Sequence, residues 1–216
     1  MGAVYEEDWI SAFFSAVNTY PCMVADALSA EYRVVSQSGW GIVTSWDGIV
    51  QNKIPPFYTQ VCGLLTGERN DSLGALEDYD FEAWQPDAVI INLGTNDATA
   101  IQSAAELGQE WAGTRDIEEV KEILTTAIRD FLKVVRTCNP TAQIIWGYGM
   151  LGDSFLPVIR DAVESYATDT ADSRIHFLHL PDTTPDTVGS RLHPGVKAHR
   201  NVAQILEEYL KKKISL

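Results

Sequence analysis

The chain has 216 residues, of which 45% are hydrophobic and 21% are charged. These proportions are close to those of globular proteins and exclude a disordered chain. The 30 acidic and 16 basic residues give a formal charge of −14. So negative a surface argues against nucleic acid and anionic lipid as partners.

No apolar run approaches the roughly 18 residues that a membrane span needs, so we expect no membrane span. The N-terminus is acidic and lacks the basic and apolar regions of a secretory signal. The widely spaced Cys22, Cys62 and Cys138 form neither a disulfide framework nor a metal site. These features favour a cytoplasmic location, and export stays open if a leader lies upstream.

Short apolar runs alternate with helical patterns along the chain. The apolar runs predict strands at 32–36, 88–92, 143–148 and 175–180. Apolar residues at helical spacing predict helices at 21–30, 117–137, 156–167 and 195–212. Asp116 is positioned to cap the second of these helices. The least periodic stretch, 45–84, predicts one helix near 57–65 and a long loop.

Strands that alternate with crossover helices predict an α/β fold with a mostly parallel sheet, formed by residues 1–216 as one domain. In such sheets the chemistry gathers in the loops at the carboxyl ends of the strands. The strand at 88–92 runs directly into Gly-Thr-Asn-Asp at 94–97. Gly94 permits a tight turn there. Asn96 offers a neutral amide donor of the type that stabilises a developing oxyanion.

Three short motifs resemble blocks of the SGNH/GDSL hydrolases. Gly-Thr-Asn-Asp at 94–97 looks like the third block, GxND, and Ser-Gly-Trp-Gly at 38–41 is similar to the second block. Ser-Arg-Leu-His-Pro at 190–194 is similar to the last block, DxxHP. The resemblance implies a flavodoxin-like three-layer α/β sandwich. With their flanking residues, the second and last motifs resemble those of family-two carbohydrate esterases, which remove acetyl groups from plant polysaccharides.

The resemblance implies a role for each matching residue. Asn96 and the backbone N–H of Gly41, or less surely that of Gly39, would form the oxyanion hole. His193 would be the general base that deprotonates a nucleophilic serine. It would then return the proton to the leaving sugar oxygen.

Gly94 and Trp40 are expected to contact the substrate, which is an oligosaccharide ester or a small-molecule ester. Trp40 and Trp46 could form a sugar-stacking wall, and core packing of these tryptophans is an equal alternative. The resemblance implies no cofactor and no metal. His199, on the last predicted helix, is expected near the solvent face of that helix.

The chain departs from the family at the first block, Gly-Asp-Ser, which supplies the nucleophile from the end of the first strand. No such block precedes residue 38. The Gly-Asp-Ser at 152–154 follows the third block, so Ser154 is not expected to be the nucleophile. We therefore expect a domain truncated at its N-terminus, without its first strand and its nucleophile. Because an open sheet edge is a liability, we expect a rearrangement or a second copy of the chain to cover it.

Ser190 stands where the family has the aspartate that orients the histidine. A backbone carbonyl near His193, or the side chain of Asp186 or Asp182, would have to take over that task. The motifs favour an ester hydrolase that deacetylates carbohydrates by a Ser–His mechanism, with the chain as given expected to be inactive. The alternatives are a non-catalytic carbohydrate- or protein-binding module on the same fold, and a lipase or acylhydrolase of the same superfamily.

Overall fold

The computed structural model describes residues 15–107 and 116–214. In this part of the chain the strands are β1 (Ala88–Ile91), β2 (Gln143–Gly149) and β3 (Ile175–Leu180). The helices are α1 (Tyr20–Leu28), α2 (Glu68–Ser72), α3 (Thr95–Leu107), α4 (Ile117–Cys138), α5 (Leu156–Asp169) and α6 (Val196–Lys213). None of these helices is both long enough and apolar enough to cross a membrane.

Among the described residues, β2 is the middle strand of a sheet whose order is β1–β2–β3. β1 and β2 are parallel, with Val89 opposite Ile144 and Ile91 opposite Trp146. Every residue of β2 after Gln143 is buried. This burial explains its unbroken apolar run, because a strand covered on both faces has no polar side. The predicted α/β fold is confirmed, and the sheet of the described residues is small.

The chain divides into two compact units, one of which comprises residues 35–107, 116–146 and 157–177. Its core is built on α4, whose N-cap Asp116 accepts a hydrogen bond from the N–H of Glu118 at 3.3 Å. Phe131 of α4 meets the ring of Trp146 edge-on, with ring centroids 6.4 Å apart, so α4 packs against β2. The buried face of α4 carries Val120, Leu124, Ile128, Phe131, Leu132 and Val135.

The other unit comprises residues 15–34, 147–156 and 178–214, and in it α1 packs against α6. The N–H of Tyr20 donates to Nδ1 of His199 at 3.3 Å, and the two rings stack with centroids 5.9 Å apart. His199 is only 6% exposed, so the expectation that it lies near the solvent face of its helix is wrong. The residue belongs to the buried stripe of α6, beside Ala198 and Val202.

Two predicted elements are wrong. Residues 32–36 form no strand, and Val34 and Val35 are 53% and 48% exposed. No strand in the described part of the chain pairs with this run, and β-prone residues form a strand only where a neighbour takes up their backbone hydrogen bonds. In place of a helix near 57–65, the structure has a 3-10 turn at Pro55–Phe57 and then α2.

α3 was not among the predicted helices. It begins with Thr-Asn-Asp-Ala-Thr-Ala, so it has turn-forming residues and alanines where an apolar stripe would reveal a helix. The helix matters for the site, because it places Asn96 and Asp97 in its first turn rather than in an open loop.

Candidate active site

The turn after β1 positions the residues of the third motif. The indole N–H of Trp146 donates to the carbonyl oxygen of Leu93 at 3.2 Å and holds the start of the turn. Gly94 has φ of 119°, a left-handed value that favours glycine. α3 then begins at Thr95, and the N–H of Ala98 donates to the carbonyl oxygen of Gly94 at 3.0 Å. The turn therefore favours glycine at position 94, because the backbone there is left-handed.

Asp97 is buried, with 1% of its surface exposed. Its carboxylate accepts hydrogen bonds from three consecutive backbone N–H groups of the second-motif loop. Oδ2 accepts from Ile42 at 2.9 Å, and Oδ1 accepts from Val43 at 2.7 Å and from Thr44 at 3.0 Å. Burial raises the pKa of Asp97, and these hydrogen bonds act in the opposite direction.

Asn96 contacts the same loop from the preceding position of α3. Its side-chain amide donates one N–H to the carbonyl oxygen of Trp40 at 3.0 Å. An amide has two N–H groups, and among the described residues the second one has no acceptor, so it is left for a ligand. Asn96 and Asp97 thus bring the second and third motifs together.

The structure does not support Gly41 as an oxyanion donor. Its backbone N–H donates to the carbonyl oxygen of Thr44 at 2.9 Å, so this N–H is already used within the loop. A Cβ at this position would collide with Oδ2 of Asp97 and would lie 2.6 Å from the carbonyl oxygen of Thr44. Gly41 is therefore required because the Asp97 carboxylate approaches its backbone closely.

Gly39, the less favoured alternative in the sequence, differs from Gly41 in its backbone N–H. Within residues 15–107 and 116–214 this N–H donates to no acceptor. The carbonyl oxygen of Gly39 accepts from the N–H of Trp46 at 2.8 Å. The φ of Gly39 is 79°, and a Cβ there would lie 2.6 Å from Cδ1 of Trp46. The loop thus presents the Gly39 backbone beside an indole ring.

The two tryptophans of this loop differ in their surroundings. Trp40 is partly exposed and packs on Phe57, with ring centroids 5.4 Å apart. Trp46 is 48% exposed and lies against Gly39. Of the two side chains, Trp46 leaves more aromatic surface for a ligand.

His193 lies at the end of a tight hairpin formed by residues 187–195. The N–H of Gly189 donates to the carbonyl oxygen of His193 at 2.7 Å, and the N–H of Gly195 donates to that of Thr187 at 3.0 Å. Between these bonds Arg191 and Leu192 adopt left-handed φ values of 49° and 60°. The hairpin therefore fixes the backbone that precedes the histidine ring.

The ring of His193 is oriented by a backbone carbonyl. Its Nδ1 lies 2.8 Å from the carbonyl oxygen of Arg191, and a hydrogen bond there leaves Nε2 as the basic nitrogen. This contact matches the backbone carbonyl, one of the alternatives for orienting the ring. Asp186 is exposed, while Oδ1 of Asp182 accepts from the N–H groups of Gly152 and Thr183, each at 2.9 Å. Burial lowers the pKa of His193, and the bond to the Arg191 carbonyl acts in the opposite direction.

Ser154 lies in an exposed turn directly before α5. Gly152, which opens this Gly-Asp-Ser, has φ of 90° and donates its N–H to Asp182. In residues 15–107 and 116–214 no group of three or more His, Cys, Asp or Glu side chains is arranged to hold a metal ion. Gly39 and Asn96 belong to one compact unit, and His193 and Ser154 belong to the other.

Comparison with known proteins identifies relatives of this chain. A family model described as GDSL-like lipase/acylhydrolase matches residues 14–206. The solved structure of an acetyl xylan esterase from the rumen bacterium Butyrivibrio proteoclasticus superposes on this chain with a TM-score of 0.89, and the two sequences are 42% identical. That match covers 98% of this chain and 59% of the other.

Two curated relatives are more distant. A cellulase/esterase from Acetivibrio thermocellus is 26% identical over 205 residues, which are 91% of this chain and 22% of the relative. An acetylxylan esterase/glucomannan deacetylase from Cellvibrio japonicus is 30% identical over 92 residues, or 42% of this chain and 24% of the relative. The chain thus spans about a quarter of the length of these curated relatives. Because the family match extends over most of its residues, the chain belongs to the GDSL-like lipase/acylhydrolase family.

Proposed function

We propose that the protein is a carbohydrate acetyl esterase. The observation that carries this proposal is the geometry of His193, whose Nδ1 is fixed by the carbonyl of Arg191 at 2.8 Å. A histidine held in this way presents Nε2 as a general base. The similarity to an acetyl xylan esterase over 98% of the chain supports the acetyl group and the carbohydrate as parts of the substrate.

In the proposed reaction a serine oxygen attacks the acetyl carbonyl while its proton passes to Nε2 of His193. The carbonyl oxygen becomes an oxyanion, which accepts hydrogen bonds from the Gly39 N–H and the second N–H of Asn96. The bond to the sugar oxygen then breaks, and that oxygen takes the proton from His193. Water cleaves the acetyl-serine by the same steps and releases acetate.

We propose that the attacking serine is not Ser154 and lies outside these 216 residues. The motif order supports this, because the family's Gly-Asp-Ser block comes before the second block and this one comes after the third. The limited coverage of the relatives, 59% of the acetyl xylan esterase, leaves room for such a block in a longer protein.

The experiment is to measure acetate released from acetylated xylo-oligosaccharides. We compare the 216-residue chain with a form extended upstream through the gene's own codons, each with Ser154 and with Ser154→Ala. The expected result is release by the extended form, unchanged by Ser154→Ala, and none above background by the shorter chain. Release by the shorter chain that Ser154→Ala abolishes would contradict the proposal for the nucleophile.

A second candidate function is carbohydrate binding without catalysis. The 48% exposure of Trp46, beside a Gly39 N–H that donates to no acceptor in the described part of the chain, favours it, because sugar rings stack on exposed indoles. Saturable quenching of tryptophan fluorescence by xylo-oligosaccharides, with no acetate released by either form, would support this function over the esterase.

A further inference from the structure

Asp97 forms an unusual contact for a carboxylate that is 1% exposed. Within residues 15–107 and 116–214 its two oxygens pair with no basic side chain and instead accept backbone N–H groups from Ile42, Val43 and Thr44. A neutral amide or hydroxyl of this length cannot offer two oxygens as acceptors; an ionised carboxylate can. The site is therefore matched to the charged form of aspartate.

The space around Asp97 also fixes the length of the side chain. Gly41 is buried, and any Cβ at this position would collide with Oδ2 of Asp97. The loop backbone thus closes over the carboxylate, and a glutamate at position 97 would need one more methylene in this space.

Hydrogen bonds within the loop connect residues 42–44, which Asp97 binds, to Gly39. The N–H of Gly41 donates to the carbonyl oxygen of Thr44 at 2.9 Å, and the N–H of Trp46 donates to the carbonyl oxygen of Gly39 at 2.8 Å. Trp40 and Ser45 form an antiparallel bridge between these two bonds. Residues 39–46 therefore form one closed hairpin, and the three amides that Asp97 holds lie at its tip.

We propose that Asp97 is a positioning residue, whose buried carboxylate fixes the hairpin 39–46 and thereby directs the Gly39 N–H toward the substrate oxygen. Asp97 does not touch the substrate, and its effect passes through the backbone that it holds. The part of the proposal that concerns the substrate rests on the proposed esterase function. The part that concerns the hairpin does not.

The test is Asp97→Asn in the 216-residue chain, followed by NMR of backbone amides. Asparagine has the same shape but one oxygen, and its NH₂ group must face an N–H group. Because Oδ1 accepts two bonds and Oδ2 accepts one, we expect the asparagine oxygen to stay with Val43 and Thr44. The amide of Ile42 should then exchange at least about tenfold faster, and the amide resonance of Gly39 should shift.

Asp71→Asn is the matched control, since it makes the same chemical change at an exposed residue of α2. It should leave both signals unchanged. Unchanged exchange at Ile42 and an unmoved Gly39 resonance in Asp97→Asn would overturn the proposal. If the variant does not fold, the test is made on the unmodified chain. NMR scalar couplings across the hydrogen bonds should then connect the amide nitrogens of residues 42–44 to Cγ of Asp97, and the absence of these couplings would overturn the proposal.

Kinetics of the extended form separate this proposal from the proposed function. Oxyanion stabilisation acts in the transition state, so Asp97→Asn should lower kcat by about 10- to 100-fold and leave KM unchanged. A rise in KM at constant kcat would contradict a positioning role. If the NMR changes appear but the unmodified enzyme hydrolyses no acetyl ester, the hairpin role stands and the esterase function fails.

Discussion

His193 depends on a carbonyl whose own backbone is held in a sparsely populated conformation. Arg191 and Leu192 carry side chains yet adopt left-handed φ values of 49° and 60°, which costs roughly 1–2 kcal/mol for each residue. The hydrogen bonds of the hairpin 187–195 offset this cost. Strain of this kind is concentrated at functional sites, and here it aims the carbonyl of Arg191 at Nδ1.

The lowered pKa of His193 predicts the pH dependence of hydrolysis. A general base must be neutral, and burial keeps this imidazole neutral to a lower pH than an ordinary histidine. In the extended form, kcat/KM for p-nitrophenyl acetate should therefore fall on the acid side only below about pH 6.5, the ordinary value. An acid limb with its midpoint above that value would contradict the assignment of His193 as the base.

Asn96 and His193 could be selected from the sequence because each residue type in its motif has a recognisable chemistry. The choice between Gly39 and Gly41 could not be made in that way. It depends on which backbone N–H is already donated within the hairpin, and only Gly41 donates to Thr44. Trp46 was not selected over Trp40 for a similar reason, since exposure is a property of packing rather than of residue type.

At the scale of elements, Arg136 ties the end of α4 to the segments that enter the sheet. Its Nε donates to Asp172 at 2.6 Å, and its Nη1 donates to the carbonyl oxygens of Asn139 at 2.9 Å and Ala142 at 2.8 Å. Both members of the ion pair are largely buried, with side chains 17% and 15% exposed. The turns before β2 and β3 are thus held by one side chain.

Arg136→Met should lower the free energy of unfolding by about 3 kcal/mol, because it removes the donor to Oδ2 of Asp172 and to two carbonyl oxygens, while Oδ1 of Asp172 keeps the N–H of Arg174 at 3.0 Å. Lys121→Met is the control on the same helix. Its pair with Glu118 is exposed, at 39% and 68%, and should contribute about 1 kcal/mol or less. Urea unfolding measures both variants, and equal losses would contradict the structural role of Arg136.

The contact between α1 and α6 predicts a loss of stability in acid. Burial lowers the pKa of His199 to about 4, against about 6.5 for an unfolded histidine. Between these values the unfolded state binds more protons, so the free energy of unfolding should fall as pH decreases from about 6.5 to 4, by up to roughly 3 kcal/mol. Above pH 6.5 this group adds no pH dependence.

His199→Gln should reduce this dependence, because glutamine can accept the Tyr20 N–H but does not take up a proton in this range. His179→Gln, at an exposed position of β3, is the control and should retain the slope of the unmodified chain. Chemical unfolding at a series of pH values gives the comparison. An unaltered slope in His199→Gln would show that this buried histidine is not the source.

Elements with a strong apolar period could be predicted, and those defined by pairing could not. α4 carries its buried positions at helical spacing and begins at the predicted cap. The run at 32–36 has β-prone residues but no strand partner in the described part of the chain, and α3 has no apolar stripe to reveal it. Local composition shows neither whether a run has a strand partner nor whether a segment without an apolar stripe forms a helix.

At the scale of the whole molecule, motif order and fold agree on the family, and the family match covers residues 14–206. The substrate is a proposal because the relatives that suggest it are longer than this chain, and the position of the nucleophile is a proposal that rests on motif order. The expectation that a second copy covers an open sheet edge also stays a prediction. A dimer in size-exclusion chromatography would support it, and a monomer would contradict it.

The central claim is that His193, oriented by a backbone carbonyl, is the general base of acetyl-ester hydrolysis. The most direct measurement is kcat/KM for acetate release from acetylated xylo-oligosaccharides by His193→Gln and His179→Gln in the extended form. We predict that His193→Gln lowers kcat/KM by roughly 10²- to 10⁴-fold at unchanged thermal stability, while His179→Gln equals the unmodified enzyme. A His193→Gln enzyme that keeps full activity would contradict the claim.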